Sequence, residues 1–167
     1  IVDGSLKFDN DSSQYLSKTF SSAGNRDVWT WSSWVRRSNS TEQCAIFSAY
    51  NASNNANYGM IWLNNDGTFN FQNWDGGSNS AETSAVLRDT GWYHLVVLHD
   101  ESASPKAKLY VNGTLQTLAS NLSTSQGISG NWEHRIGMEV YNSRKPYDGS
   151  MSQCYFIDGL ALGPGYF

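Results

Sequence analysis

Residues 91–113 read GWYHLVVLHDESASPKAKLYVNG, and the fold turns on them. Within 92–99, Tyr93, Leu95 and Val97 share one face of an extended chain; Trp92, Val96 and Leu98 share the other. Successive strand side chains point to opposite faces, so a strand apolar on both sides belongs inside a sheet that is covered twice. Residues 100–104 are polar, and Pro105 bars an uninterrupted strand through this point. Leu109, Tyr110 and Val111 form a second apolar run, closed by Asn112-Gly113. Both closing residues tolerate positive φ, as a two-residue type I′ hairpin turn requires.

The flanking sequence reads as further strands. Leu6-Lys7-Phe8 alternates and stops in the turn cluster at 9–13, and Tyr15-Leu16 is a short apolar piece. In VWTWSSWVRR (28–37), Trp29, Trp31, Ser33 and Val35 share the face expected in the core, opposite Thr30, Ser32 and Trp34. AIFSA (45–49) is another short strand, followed by a polar loop at 51–57. YGMIWL (58–63) and TFNFQ (68–72) flank Asn64-Asn65-Asp66-Gly67, a hairpin signal. Ile61 and Leu63 should meet Phe71 and Phe69 facing inward. Tyr58, Met60, Trp62, Asn70, Gln72 and Trp74 then share the opposite face. Residues 75–84 read as a flexible Gly/Ser/Asn loop and 118–131 as another Ser/Gly-rich stretch. HRIGMEV (134–140) and GSMSQCYFI (149–157) are the last strands, before a turn-rich tail. No helix longer than about a turn is expected. Strands at short intervals with turn signals between them predict an all-β sandwich, a jelly roll.

With 167 residues, 16% charged and 14% aromatic, the chain is large enough for one cored domain, read as 1–167, and too aromatic for disorder. A net charge of −4, with Arg36-Arg37 and Arg144-Lys145 as short basic runs, argues against nucleic acid. No apolar run approaches the roughly 20 residues of a membrane span, and no signal peptide is visible. A start at Ile1 without methionine reads as a processed product or a segment of something longer. Cys44 and Cys154 sit in apolar strand contexts and read as buried thiols, with a disulfide between them as the alternative. Lacking CxxC spacing, they do not make a zinc site.

The ordered set SLKFDNDSSQYL, WTWSSWVRR, AIFSA, the NDG hairpin, GWYHLVV, KLYVNG, HRIG and DGSMSQCYFIDGLAL resembles the concanavalin A-like, laminin-G-like jelly roll over nearly the whole chain. SSAGNR, VWTWS and above all the terminal FIDGLALGPGYF are similar to laminin-G-like domains of bacteriophage tail-fibre and virion proteins. The resemblance implies a two-sheet antiparallel sandwich with neighbouring first and last strands. It also implies a recognition or virion-building role, often through host-surface glycans. Some members of the family hold calcium, and Asp9, Asp11 and Asp148 are the oxygen ligands that would suit it here. Asp and Asn clusters are also ordinary turn formers, and turn chemistry is the reading those residues favour.

The residues themselves argue against an enzyme. Glycosidases on related sandwiches need two carboxylates on one strand face, about 5–5.5 Å apart in retaining enzymes. Glu42, Glu82, Glu101 and Glu133 are remote from one another, and Asp100-Glu101 would point to opposite faces. His94 and His99 fall on opposite faces of one strand, His134 opens another, and no GxSxG is present. Five Asn-x-Ser/Thr sequons are explained by composition. A sugar platform is more concrete. Trp62 and Trp74 beside Tyr58, Asn70 and Gln72 pair ring faces for a pyranose with amides for its hydroxyls. Trp132 and Tyr141, with Tyr147, extend it from the late loops. The alternative is a face buried by a loop or a neighbouring subunit.

The expectation is therefore a non-catalytic module, at a virion surface or otherwise extracellular, repeated or homo-oligomeric, binding host-surface polysaccharide. The alternative is a purely architectural role against other virion proteins. No nucleic acid, membrane or cofactor is expected, apart from the calcium alternative.

Overall fold

The computed structural model describes residues 4–53, 58–74, 78–122 and 128–167. Among them thirteen strands follow in order: β1 (Leu6–Phe8), β2 (Leu16–Thr19), β3 (Val28–Arg37), β4 (Cys44–Tyr50), β5 (Tyr58–Leu63), β6 (Thr68–Trp74), β7 (Ser78–Val86), β8 (Tyr93–Asp100), β9 (Ala107–Val111), β10 (Thr114–Leu115), β11 (Leu118–Ser120), β12 (Glu133–Ile136) and β13 (Gly149–Asp158). A single 3-10 turn, Pro164–Tyr166, follows. Two sheets form a jelly-roll sandwich, ordered β1-β13-β3-β8-β9-β10 and β11-β7-β6-β5-β4-β12-β2. The pairings are antiparallel throughout, and β1 lies against β13 with Leu6 opposite Met151. No helix among the described residues is long and apolar enough to cross a membrane.

The core lies between the sheets. Trp29, Trp31 and Val35 of β3 are fully buried, as are Leu95 and Val97 of β8 and Ile61, Phe69 and Phe71 of the facing sheet. Trp29 meets Phe71 edge-on across the gap at 5.0 Å, and Trp31 lies parallel to Phe47 at 6.5 Å. Large rings fill a wide gap with few torsions to freeze, which is why alternating Trp residues can carry a core.

The opening stretch folds as expected. β8 is an interior strand, with Leu95 opposite Val111 and Val97 opposite Leu109. Its outer face is covered too: His94, Val96 and Leu98 are buried. The tail crosses that face, where the Thr30 hydroxyl donates to the Leu160 carbonyl and accepts the Leu162 amide, both at 2.7 Å. Asn112 and Gly113 have φ of 49° and 80°, the positive pair that a type I′ turn needs. The β5–β6 register also matches, with Ile61 opposite Phe71 and Leu63 opposite Phe69.

Three expectations need correction. Residues 78–86, of which 78–84 fall in the stretch read as a loop at 75–84, form β7, while 75–77 lie outside the described residues. The inward positions of β7 are Ala81 and Thr83, both buried, so small side chains hide the alternation. The Thr83 hydroxyl accepts the Phe69 amide at 3.0 Å, mending the ladder where the register shifts. The Ser/Gly-rich stretch contains β11; its residues 123–127 lie outside the described set, as do 54–57 of the polar loop. β12 ends at Ile136 instead of running to Val140. Gly137 takes φ of 90°, and a Cβ there would stand 2.7 Å from the Phe8 ring. Cys44 and Cys154 are free thiols, both pushed up to about 11 by burial and so protonated at neutral pH.

Candidate functional site

A cleft of about 460 Å³ opens on the outer face of the seven-stranded sheet. Register builds its floor. Trp74 of β6 lies opposite Tyr58 of β5, which lies opposite Tyr50 of β4, so three aromatic residues form one row across adjacent strands. Beside that row Gln72 pairs with Met60. Trp74 is 40% exposed, whereas Tyr58 is buried.

The other wall comes from the segment between β12 and β13, which carries Glu139, Tyr141, Arg144 and Lys145. After Gly137 the chain doubles back and is pinned to β4 at two places. The buried Ser48 hydroxyl donates to the Met138 carbonyl at 2.7 Å and accepts the Val140 amide at 3.1 Å. The Ala45 amide donates to the Lys145 carbonyl at 2.9 Å. Tyr141 stays 48% exposed while meeting Tyr50 at 4.9 Å and Tyr58 at 6.0 Å.

Glu139 anchors the polar side. Its side chain is 3% exposed, and Oε1 accepts the Tyr58 hydroxyl at 2.8 Å. Lys145 Nζ stands 3.5 Å from Oε1, and Arg144 Nε stands 3.6 Å from Oε2. Burial, then the Glu139 charge, pushes the Tyr58 phenol far above its ordinary value, so it remains a donor. Tyr58→Phe removes a hydrogen bond to a buried carboxylate and is expected to cost about 1.5–3 kcal/mol of stability in urea unfolding. An unchanged midpoint would show that the cations alone satisfy Glu139.

The structure gathers Tyr58, Gln72, Trp74 and Tyr141 from the residues singled out in the sequence. Trp62 lies at the margin, half-buried, with Lys145 Nζ 4.8 Å above its ring. Asn70 is not in the cleft: it is buried, reaching the Thr68 hydroxyl at 3.4 Å. Trp132 belongs to the main core, with the Arg26 guanidinium 5.0 Å over its ring. Tyr147 is fully buried, edge-on to Phe8 at 6.1 Å. Glu139, Tyr50, Arg144 and Lys145 are the lining and supporting residues that sequence reading missed. The signal available for the cations was the Arg144-Lys145 pair itself; Glu139 was hidden in a segment that reads as a strand.

The proposed oxygen set does not converge. Asp9 Oδ1 accepts the Asp11 amide at 3.0 Å and Oδ2 the Ser12 hydroxyl at 3.1 Å, the bonding of a turn. Asp148 uses its carbonyl to accept the Ser38 amide. Among the described residues no three His, Cys, Asp or Glu side chains are placed to hold a metal ion.

Residues 9–161 match the laminin-G-type family model of the concanavalin A-like lectin/glucanases superfamily, and the chain belongs to that superfamily. No curated protein matches the sequence. The fold is similar to the CBM40 module of Ruminococcus gnavus IT-sialidase bound to α2,3-sialyllactose: TM-score 0.69, 13% identity, 99% of this chain and 95% of that one. It is similar to mouse laminin α1 domains LG4-5: TM-score 0.71, 13% identity, 96% of this chain and 46% of that one. A variant of NanB sialidase from Streptococcus pneumoniae gives TM-score 0.71 at 17% identity, over 99% of this chain and 27% of that one. At these identities the likeness defines the fold.

Proposed function

We propose that this chain is a non-catalytic carbohydrate-binding module that seats a sugar between Trp74 and Tyr141. The observation that carries the reading is their exposure, 40% and 48%, around a cleft floored by Tyr58 and Gln72. Exposed rings with apolar faces attract the C–H face of a pyranose, and the Gln72 amide can both donate to and accept from its hydroxyls. The similar fold of a module bound to sialyllactose supports the same reading. Among the described residues Glu139 is the one carboxylate lining the cleft, whereas retaining glycoside hydrolysis uses two.

The virion-protein resemblance supplies the setting: a tail fibre or surface decoration facing host polysaccharide. Each copy binds weakly, and repetition supplies avidity. The cleft does this with side chains alone, without calcium.

The test is a glycan-array and host-cell binding assay with a multimerised chain, run with calcium and with chelator. Trp74→Ala/Tyr141→Ala is expected to weaken binding at least tenfold, about 1.4 kcal/mol, with chelator making no difference. Clean absence of binding by a folded multimer would move this face to an architectural role against another virion protein.

A further inference from the structure

The cleft is cationic on an acidic chain. Arg144 and Lys145 face it with Glu139 as the opposing carboxylate, while the whole chain carries −4. Among the described residues that line it, two positive groups against one negative leave a positive excess. The cations are also differently disposed. The Arg144 side chain is 63% exposed, so its fork is open to a ligand, whereas the Lys145 side chain is 25% exposed.

Their placement is built in. Ser143 and Lys145 both have positive φ, 49° and 52°, a conformation that costs a residue with a side chain roughly 1–2 kcal/mol. Three contacts hold the segment in it. The Glu139 amide donates to the Arg144 carbonyl at 3.1 Å, the Ala45 amide donates to the Lys145 carbonyl, and Arg135 Nη1 donates to the Ser143 hydroxyl at 2.9 Å. The Trp62 ring beneath Lys145 adds a cation–π contact. Backbone held in a sparsely populated region, next to a cleft, is a reason to look for a ligand there.

We infer that the sugar bound in this cleft is acidic, with an anionic group (a carboxylate or a sulfate ester) meeting Arg144 and Lys145 beside the ring stacked on Trp74 and Tyr141. This rests on the carbohydrate-binding reading above and names its ligand class. Arg144 suits either group because a guanidinium fork matches two oxygens at once. Lys145, held near Glu139 and the Trp62 ring, contributes a point charge. The net charge of −4 opposes general attraction between the molecule and an anion, so the preference is assigned to the local charge of this cleft.

The experiment uses three oligosaccharide probes of one backbone: a hexuronate, its carboxyl-reduced neutral form, and a sulfated neutral form. Binding to the full chain is titrated at low and high salt. The hexuronate or the sulfated probe is expected to bind about tenfold tighter than the neutral form at low salt. That advantage shrinks to a few-fold at about 0.5 M salt, because exposed charges are screened. Whichever anionic probe carries the advantage identifies the group. Arg144→Gln, which leaves the Lys145–Glu139 pair in place, is expected to erase most of it, read as the ratio of anionic-probe to neutral-probe affinity. Arg144→Gln/Lys145→Gln should erase the rest. The wild-type salt dependence needs no variant, so a double variant that fails to fold does not decide the outcome. Equal binding of all three probes, still sensitive to Trp74→Ala, would overturn the acidic preference and leave the carbohydrate reading standing. Binding of none would overturn both.

Discussion

Trp29→Ala is expected to lower the stability of the fold by about 3–5 kcal/mol, the range for removing a large aromatic side chain from a packed core. Trp29 has no exposure and bridges the two sheets. It meets Phe71 of the facing sheet at 5.0 Å, Phe156 of β13 at 5.8 Å and His99 of β8 at 5.4 Å. Alanine would leave a cavity that three strands cannot close together. Against a typical total of about 5–15 kcal/mol, the loss takes much of the margin. Urea unfolding at pH 7.5 measures it, with Trp74→Ala as the comparison. Trp74 is 40% exposed and should cost under about 1 kcal/mol. If both variants unfold at similar urea concentrations, the core does not hinge on Trp29.

Acid should destabilise the protein through His99. Its ring is completely buried between Trp29 and Phe71, and neither ring nitrogen has a hydrogen bond among the described residues. Burial pushes the imidazole down to about 4 from an ordinary 6.5. Glu101, whose Oε2 stands 3.5 Å from Nε2, opposes the shift, as do Asp100 and Asp27, while Lys106 reinforces it. Between pH 6.5 and 4 the unfolded chain binds a proton that the native ring refuses. Stability is therefore full above about 6.5 and falls as pH drops towards 4, by about 3 kcal/mol for this group. His94 and His134 are also lowered, chiefly by burial, and act in the same direction. Urea midpoints at pH 7.5, 5.5 and 4.5 test this, with His99→Leu expected to flatten the profile. A wild-type midpoint that does not move between pH 7.5 and 4.5 would refute it.

The parts of the fold legible in the sequence share a physical cause. β3 and the β5–β6 hairpin announce themselves through bulky alternation, and β8 through a run that is apolar on both faces. In the hairpins the turn also sets the register, so Ile61 and Phe71 can be paired from local sequence alone. β7 escaped because its inward residues, Ala81 and Thr83, are small, and its burial depends on the neighbours that cover it. Burial misled in the other direction at Asn70, Trp132 and Tyr147. Each looks like a surface group in its local context, yet each is buried. Trp132 lies so close to Gly130 that a Cβ there would stand 2.1 Å from its ring.

By itself, the sequence determined the sandwich and one half of the cleft. A two-residue alternation puts Tyr58, Gln72 and Trp74 on a common face, and a short turn holds them there. The other half was decided by tertiary structure. β12 lies against β4, with Glu133 opposite Tyr50, and the sharp turn at Gly137 then brings Glu139, Tyr141, Arg144 and Lys145 over the floor. Nothing in a strand's own alternation says which distant strand it will join, because the two-residue period is common to all of them. Loop-closure entropy changes only slowly with length, so it too discriminates poorly among distant partners. The pairing is settled by the packing of both sheets at once, and the charge of the cleft is settled with it.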